Sequence, residues 1–188
     1  MSQLGIAALS AAQQALAAGV RGGQPERFQG PEVTQYLADV GITYPAPWCA
    51  AFVYWCFEQA VAADLTGIAI NPCPRTAGAL RMYELAPARC RVNLPAPGDV
   101  FVLSHGGGRG HVGIVESASP DGFQITSVEG DTFATLAEAQ AAGDPAARAG
   151  DPSRGLAAAH LPRVRRRLAG DPRVHLQPDA RRPGRAHR

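Results

Sequence analysis

The sequence predicts an α+β fold, and three observations carry that prediction. Apolar residues recur at helical spacing from residue 3 to about residue 86. After the turn Ala96-Pro97-Gly98-Asp99 the pattern shortens to that of strands, beginning with Val100-Phe101-Val102-Leu103. Pro120-Asp121-Gly122 then turns the chain so that the following segment returns antiparallel.

Residues 3–19 read as a helix, with Leu4, Leu9 and Leu16 among alanines and Gly19 and Gly22-Gly23 ending it. Residues 24–30 are a polar loop. Pro31 opens a second helix at the position where its missing N–H costs nothing, with Val33, Tyr36, Leu37 and Val40 on one side and Gly41 as the stop. Tyr44-Pro45-Ala46-Pro47 cannot be helical, because each proline lacks an N–H and pushes its predecessor extended. Cys49, Phe52, Val53, Cys56, Phe57, Ala60 and Val61 then recur at helical spacing, which predicts a helix from 49 to about 63. Residues 64–75 are irregular, and 76–86 read as a short helix around Leu80, Met82 and Leu85.

In the β half, Val100–Leu103 is a strand, Ser104–Gly110 a glycine-rich loop and His111–Ser117 the next strand, with residues 123–129 pairing back onto it. A three-residue loop at 120–122 sets Ser119 opposite Phe123 and His111 opposite Asp131. Glu129 then shares a face with His111, one diagonal step away. Gly113 and Ser127 leave that face uncrowded, as a helix N-terminus docking above it would require. Val112, Ile114, Thr126 and Val128 form the alternate, core face, and a one-residue slip would exchange the two.

Cys49 falls on the first turn of its helix, where unpaired N–H groups and the positive end of the dipole lower a thiol's pKa and favour the nucleophilic thiolate. Without other evidence such a cysteine is a small buried hydrophobe, the reading given to Cys56 two turns along the same stripe. Thiol hydrolases need a nucleophile, a base and a group that orients the base, and Cys49, His111 and Glu129 can fill those roles, with Asp131 as the alternative orienter. The N–H of Cys49 and a neighbour could form an oxyanion hole. His105 is near enough to substitute for His111; His160, His175 and His187 lie in loops or the tail.

At 188 residues and 46% hydrophobic, one soluble domain is the expectation. Net charge is +2, unevenly spread: residues 1–131 hold seven arginines against eleven acids, and 132–188 hold eleven against five. Every cation is arginine. The cluster Arg163, Arg165, Arg166 and Arg167 has no aromatic interleaving, so no nucleic-acid partner is expected. Cysteines 49, 56, 73 and 90 contain no CxxC pair and no zinc spacing, and no motif implies a metal or organic cofactor; a Cys73–Cys90 bridge stays open. There is no signal-peptide pattern and no stretch to span a membrane, so reaching a cell wall would need lysis or a dedicated export route.

Pro47-Trp48-Cys49-Ala50-Ala51-Phe52-Val53, Pro97-Gly98-Asp99-Val100, Gly110-His111-Val112-Gly113-Ile114-Val115 and Val128-Glu129-Gly130-Asp131-Thr132, in that order, closely resemble the CHAP amidase/peptidase family. The resemblance spans roughly residues 10–132. It implies a papain-like fold, with the cysteine helix packed on an antiparallel sheet, and a monomeric cell-wall hydrolase cutting amide bonds in peptidoglycan. It implies Cys49 as nucleophile, His111 as base and Glu129 as third member. The family usually has Asn where this chain has Asp131. The alternatives are a non-catalytic wall-binding or assembly module and a secreted antibacterial amidase. The implied organisation is a catalytic domain at 1–132 followed by a poorly ordered basic tail, or out-of-frame coding, at 133–188, where Val164, Leu168, Val174 and Leu176 are too sparse for a core.

Overall fold

A computed structural model of the chain describes residues 2–20, 28–63, 67–122 and 124–132, together with the backbone of 163–167 and 175–176. Helix α1 (Gln3–Ala17) is capped by Ser2, whose Oγ accepts the Gly5 N–H at 2.9 Å. Its buried side, Leu4, Ala8, Leu9, Ala11, Ala12 and Ala15, is mostly alanine, so it lies close against α3 (Cys49–Ala62). Helix α2 (Pro31–Asp39) starts on its proline and buries Val33, Tyr36 and Leu37. It ends in a Schellman motif: Gly41, at φ +83°, donates to Ala38 O, and Ile42 donates to Leu37 O.

Helix α3 is buried along eight of its residues because α1, α2 and the sheet enclose it. Tyr36, Trp48, Phe52 and Trp55 lock α2 onto its first two turns, with ring centroids 4.9–6.3 Å apart. Helix α4 is shorter than the sequence suggests, Ala79–Leu85; Met82 is buried but Leu85 is exposed.

The sheet order is β1-β6-β2-β3-β4-β5, every neighbouring pair antiparallel, with β1 Arg91–Val92, β2 Val100–Gly106, β3 Arg109–Ala118, β4 Gln124–Val128, β5 Arg163–Arg167 and β6 His175–Leu176. The α+β expectation therefore holds. The glycine-rich loop is shorter than expected: β2 and β3 run on as paired strands, and positive φ at Gly106, Gly107 and Gly108 lets the chain reverse tightly between them. The hairpin register differs near its turn. Ala118 pairs with Ile125, one residue off the three-residue-loop register, and a bulge between Val115 and Ser117 restores the expected pairing by Val115↔Ser127 and Ile114↔Val128.

Val100, Val102, Val112, Ile114 and Val128 face the helices and join the main core; Phe101, Leu103, Val115 and Ile125 form a smaller cluster on the other face. Segments 163–167 and 175–176 add backbone to the sheet, because ladder pairing uses main-chain groups and needs no apolar side chain. The rest of 133–188 lies outside the described residues. No helix among the described residues is long and apolar enough to cross a membrane.

Candidate active site

The site is assembled where the β3–β4 ladder ends. Val115 exchanges backbone bonds with Asp99 and Gly98, on the β2 side: its N–H donates to Asp99 O at 2.8 Å and its carbonyl accepts from Gly98 at 2.9 Å. Antiparallel alternation therefore turns Ile114 and Val112 toward β4. The β4 ladder stops at Ile114↔Val128, so the Val112 N–H points past the last pair. The sulfur of Cys49 takes it: the backbone N–H groups of Val112 and Ala50 both hydrogen-bond the thiol.

The first turn of α3 reaches this point from the apolar face of the sheet, which corrects the docking expected above His111. The glycine that admits it is Gly130, where a Cβ would stand 2.7 Å from the Trp48 ring and 2.9 Å from Phe52 Cβ. Gly113 makes room instead for Glu129: a Cβ there would lie 2.6 Å from Glu129 Cγ and 2.8 Å from the Phe101 ring.

His111 Nε2 and Glu129 Oε2 are 2.8 Å apart, both residues buried, with Phe101 against the imidazole at 6.2 Å between centroids. An ionised carboxylate only accepts, so with Glu129 ionised Nε2 is the donor in this contact. The other carboxylate oxygen, Oε1, accepts the Ser127 hydroxyl at 2.6 Å. Ser127 was read from the sequence only as a small residue; the signal that could have marked it is its place two residues before Glu129 on the same face of β4.

Cys49 is 4% exposed, and burial pushes its thiol up to about 12. The Asp131 carboxylate raises it further, the two N–H groups lower it, and Glu129 adds a smaller upward push. This reverses the lowered pKa expected for a helix start: the dipole acts, but removal from water outweighs it. Asp131 is buried with φ +57°, a left-handed backbone that Asp tolerates better than most residues. Glu129 is a carboxylate bonded to the imidazole, while Asp131 acts on the sulfur.

All four cysteines are free, so no Cys73–Cys90 bridge forms. Cys56 is core, its thiol raised by burial and then by neighbouring Cys73. His105 sits in the β2 irregularity between Ser104 and Gly106, beyond the pair Leu103↔His111. Among the described residues no group of three or more His, Cys, Asp or Glu could hold a metal ion.

The family model of the CHAP domain matches residues 40–131, which takes in α3, β2, β3, β4, Cys49, His111, Glu129 and Asp131 and leaves α1 and α2 outside. No curated protein and no solved structure matches the chain. CHAP domains are in general cysteine- and histidine-dependent amidohydrolases, and the match suggests a function of the peptidoglycan-hydrolase type. With the matched span beginning just before the α3 cysteine and closing on the acidic end of the hairpin, residues 40–131 of this chain are a CHAP domain.

Proposed function

We propose that this protein is a cysteine-dependent hydrolase that cuts an amide bond in peptidoglycan, through Cys49 as nucleophile, His111 as base and Glu129 as the group that orients the base. The observation that carries the reading is the buried 2.8 Å contact between Nε2 and Glu129, at the ladder end where the Cys49 sulfur accepts the Val112 N–H. With Nε2 held by the carboxylate, Nδ1 is the ring atom for proton transfer. Because the resting thiol is kept protonated, proton removal accompanies attack rather than preceding it. Sγ bonds to the scissile carbonyl carbon as its proton passes to Nδ1. The imidazolium then protonates the departing amine as the C–N bond breaks. Water, deprotonated by the imidazole, hydrolyses the thioester and frees the carboxylate product. The papain-like arrangement, the catalytic unit at 1–132 and the monomeric state belong to the same proposal. The bond cut is either the muramoyl–L-alanine amide or a peptide cross-bridge.

Burial of Cys49 favours one second reading, a wall-binding module that retained the fold. Mass spectrometry of digested sacculi separates the two. The hydrolase releases new amines from purified walls and Cys49→Ala releases none. Equal release by Cys49→Ala would remove Cys49 from its role, and no release by the wild-type chain that binds walls would favour the module.

A further inference from the structure

The geometry points to Ser127 as a positioning residue of the same site: its hydroxyl keeps Glu129 ionised and so fixes which nitrogen of His111 carries the proton. The inference rests on the hydrolase reading for its meaning, but not for its principal measurement. Glu129 is fully buried, and a carboxylate out of water stays charged only if its oxygens are bonded. Oε2 faces His111 Nε2, and Oε1 accepts the Ser127 hydroxyl at 2.6 Å, a charge-assisted length. Among the described residues, His111 from β3 bonds this carboxylate and Cys49 from the start of α3 lies within its electrostatic reach, as it does within that of Asp131 beyond β4. Asp131 and Cys49 offer it no positive charge, and the hydroxyl is a neutral donor that opposes protonation.

Without that hydroxyl the buried carboxylate loses a bond that favours its charged form, and the proton shared with the ring can rest on the carboxyl group. A protonated carboxyl donates to Nε2 instead of accepting from it. The imidazole then carries its proton on Nδ1, the atom required as base, and the site is shut without any change in its shape. A purely structural serine would have no such effect on the tautomer.

The experiment compares wild type, Ser127→Ala and Ser127→Thr by nitrogen NMR of the His111 ring across pH, with kcat and KM on purified sacculi alongside. In wild type the ring is expected to pass on acidification from the Nε2–H form to the doubly protonated imidazolium, whereas in Ser127→Ala it is expected to pass to the Nδ1–H form, and at higher pH. The acid limb of kcat moves with it, KM changes less than twofold, and Ser127→Thr restores both. Ser127→Cys, which keeps the volume with a weak donor, replaces the alanine variant if that one does not fold. An unchanged tautomer profile in a folded variant overturns the inference, whatever happens to activity. A shifted profile in a chain that hydrolyses nothing leaves the inference standing and removes the hydrolase reading instead.

Discussion

The start and the middle of α3 each bury a cysteine, yet their surroundings differ in kind. Cys56 is enclosed by the core, where burial and then neighbouring Cys73 raise its thiol against the pull of its own backbone N–H. Cys49 is almost as dry, but Ala50 and Val112 aim N–H groups at its sulfur, and two acidic side chains lie within electrostatic reach. Burial raises both thiols, so burial alone does not tell a structural cysteine from a reactive one. The distinguishing feature is a donor from another element: the Val112 N–H is available because β4 stops one pair early. The comparison breaks most sharply under truncation. Cys49→Ala is expected to lower amide hydrolysis by at least about a thousandfold, leaving only what binding and dipoles supply, with little change in melting temperature. Cys56→Ala is expected to keep measurable hydrolysis and lose about 1–2 kcal/mol of stability through the cavity it leaves. Activity assays and urea titration of both variants decide the matter, and an inactive Cys56→Ala of undiminished stability would contradict the contrast.

Most of this contrast can be read in the chain before any coordinates. Prolines 45 and 47 and the apolar stripe from Cys49 fix where α3 begins. Alternation along β3 and β4 puts His111 and Glu129 on one face, and the pair sits there even though the turn has a different register, because the bulge between Val115 and Ser117 cancels the offset. Bulges leave no clear signature in residue types, so agreement at the site coexisted with disagreement at the loop. What the residues did not disclose was the side from which α3 arrives. His111, Gly113 and Glu129 looked like a shelf for a helix; helix burial follows the larger apolar area instead, on Val112, Ile114 and Val128. Nor could helix-dipole reasoning weigh itself against desolvation, since the 4% exposure of Cys49 depends on the whole packed structure. The pairing of β5 to β4 was missed for a related reason: arginine-rich residues 163–167 carry no apolar pattern, and main-chain pairing does not require one.

The two glycines of the site sharpen the distinction between its supports. Gly130→Ala presses a methyl into Trp48 and Phe52 and is expected to cost about 1–3 kcal/mol of stability, as overpacking does. Gly113→Ala presses it into Glu129 Cγ and the Phe101 ring. Its stability cost should be of the same order, but it should also push the carboxylate off Nε2 and lower kcat by about tenfold or more, with KM little altered. If the two variants lose activity only in proportion to stability, Glu129 needs no such room.

The one effect expected on stability alone, with no loss of activity, lies at the other end of β3, at the buried Asp99. Its Oδ2 accepts the Ala96 N–H at 2.9 Å and closes the turn onto β2, while its backbone carbonyl accepts from Val115. Gly98 beside it, at φ +85°, packs so closely on Gly5 that α1 fixes the turn in place. Burial pushes the Asp99 carboxyl up to about 6, against the opposing pull of the Ala96 N–H. A raised acid is held more tightly by the folded state than by the unfolded one. Between about pH 4 and 6 the native protein therefore binds more protons, and stability falls as pH rises through that window, levelling off above it. The size is at most about 3 kcal/mol, the equivalent of roughly two pKa units. Asp99→Asn keeps an oxygen for the Ala96 N–H and removes the ionisation. Urea titrations of both proteins at pH 4, 5, 6 and 7 should show the difference in stability between variant and wild type growing in favour of the variant from pH 4 to 6 and constant beyond. A difference independent of pH would mean that Asp99 ionises as freely in the fold as in the unfolded chain.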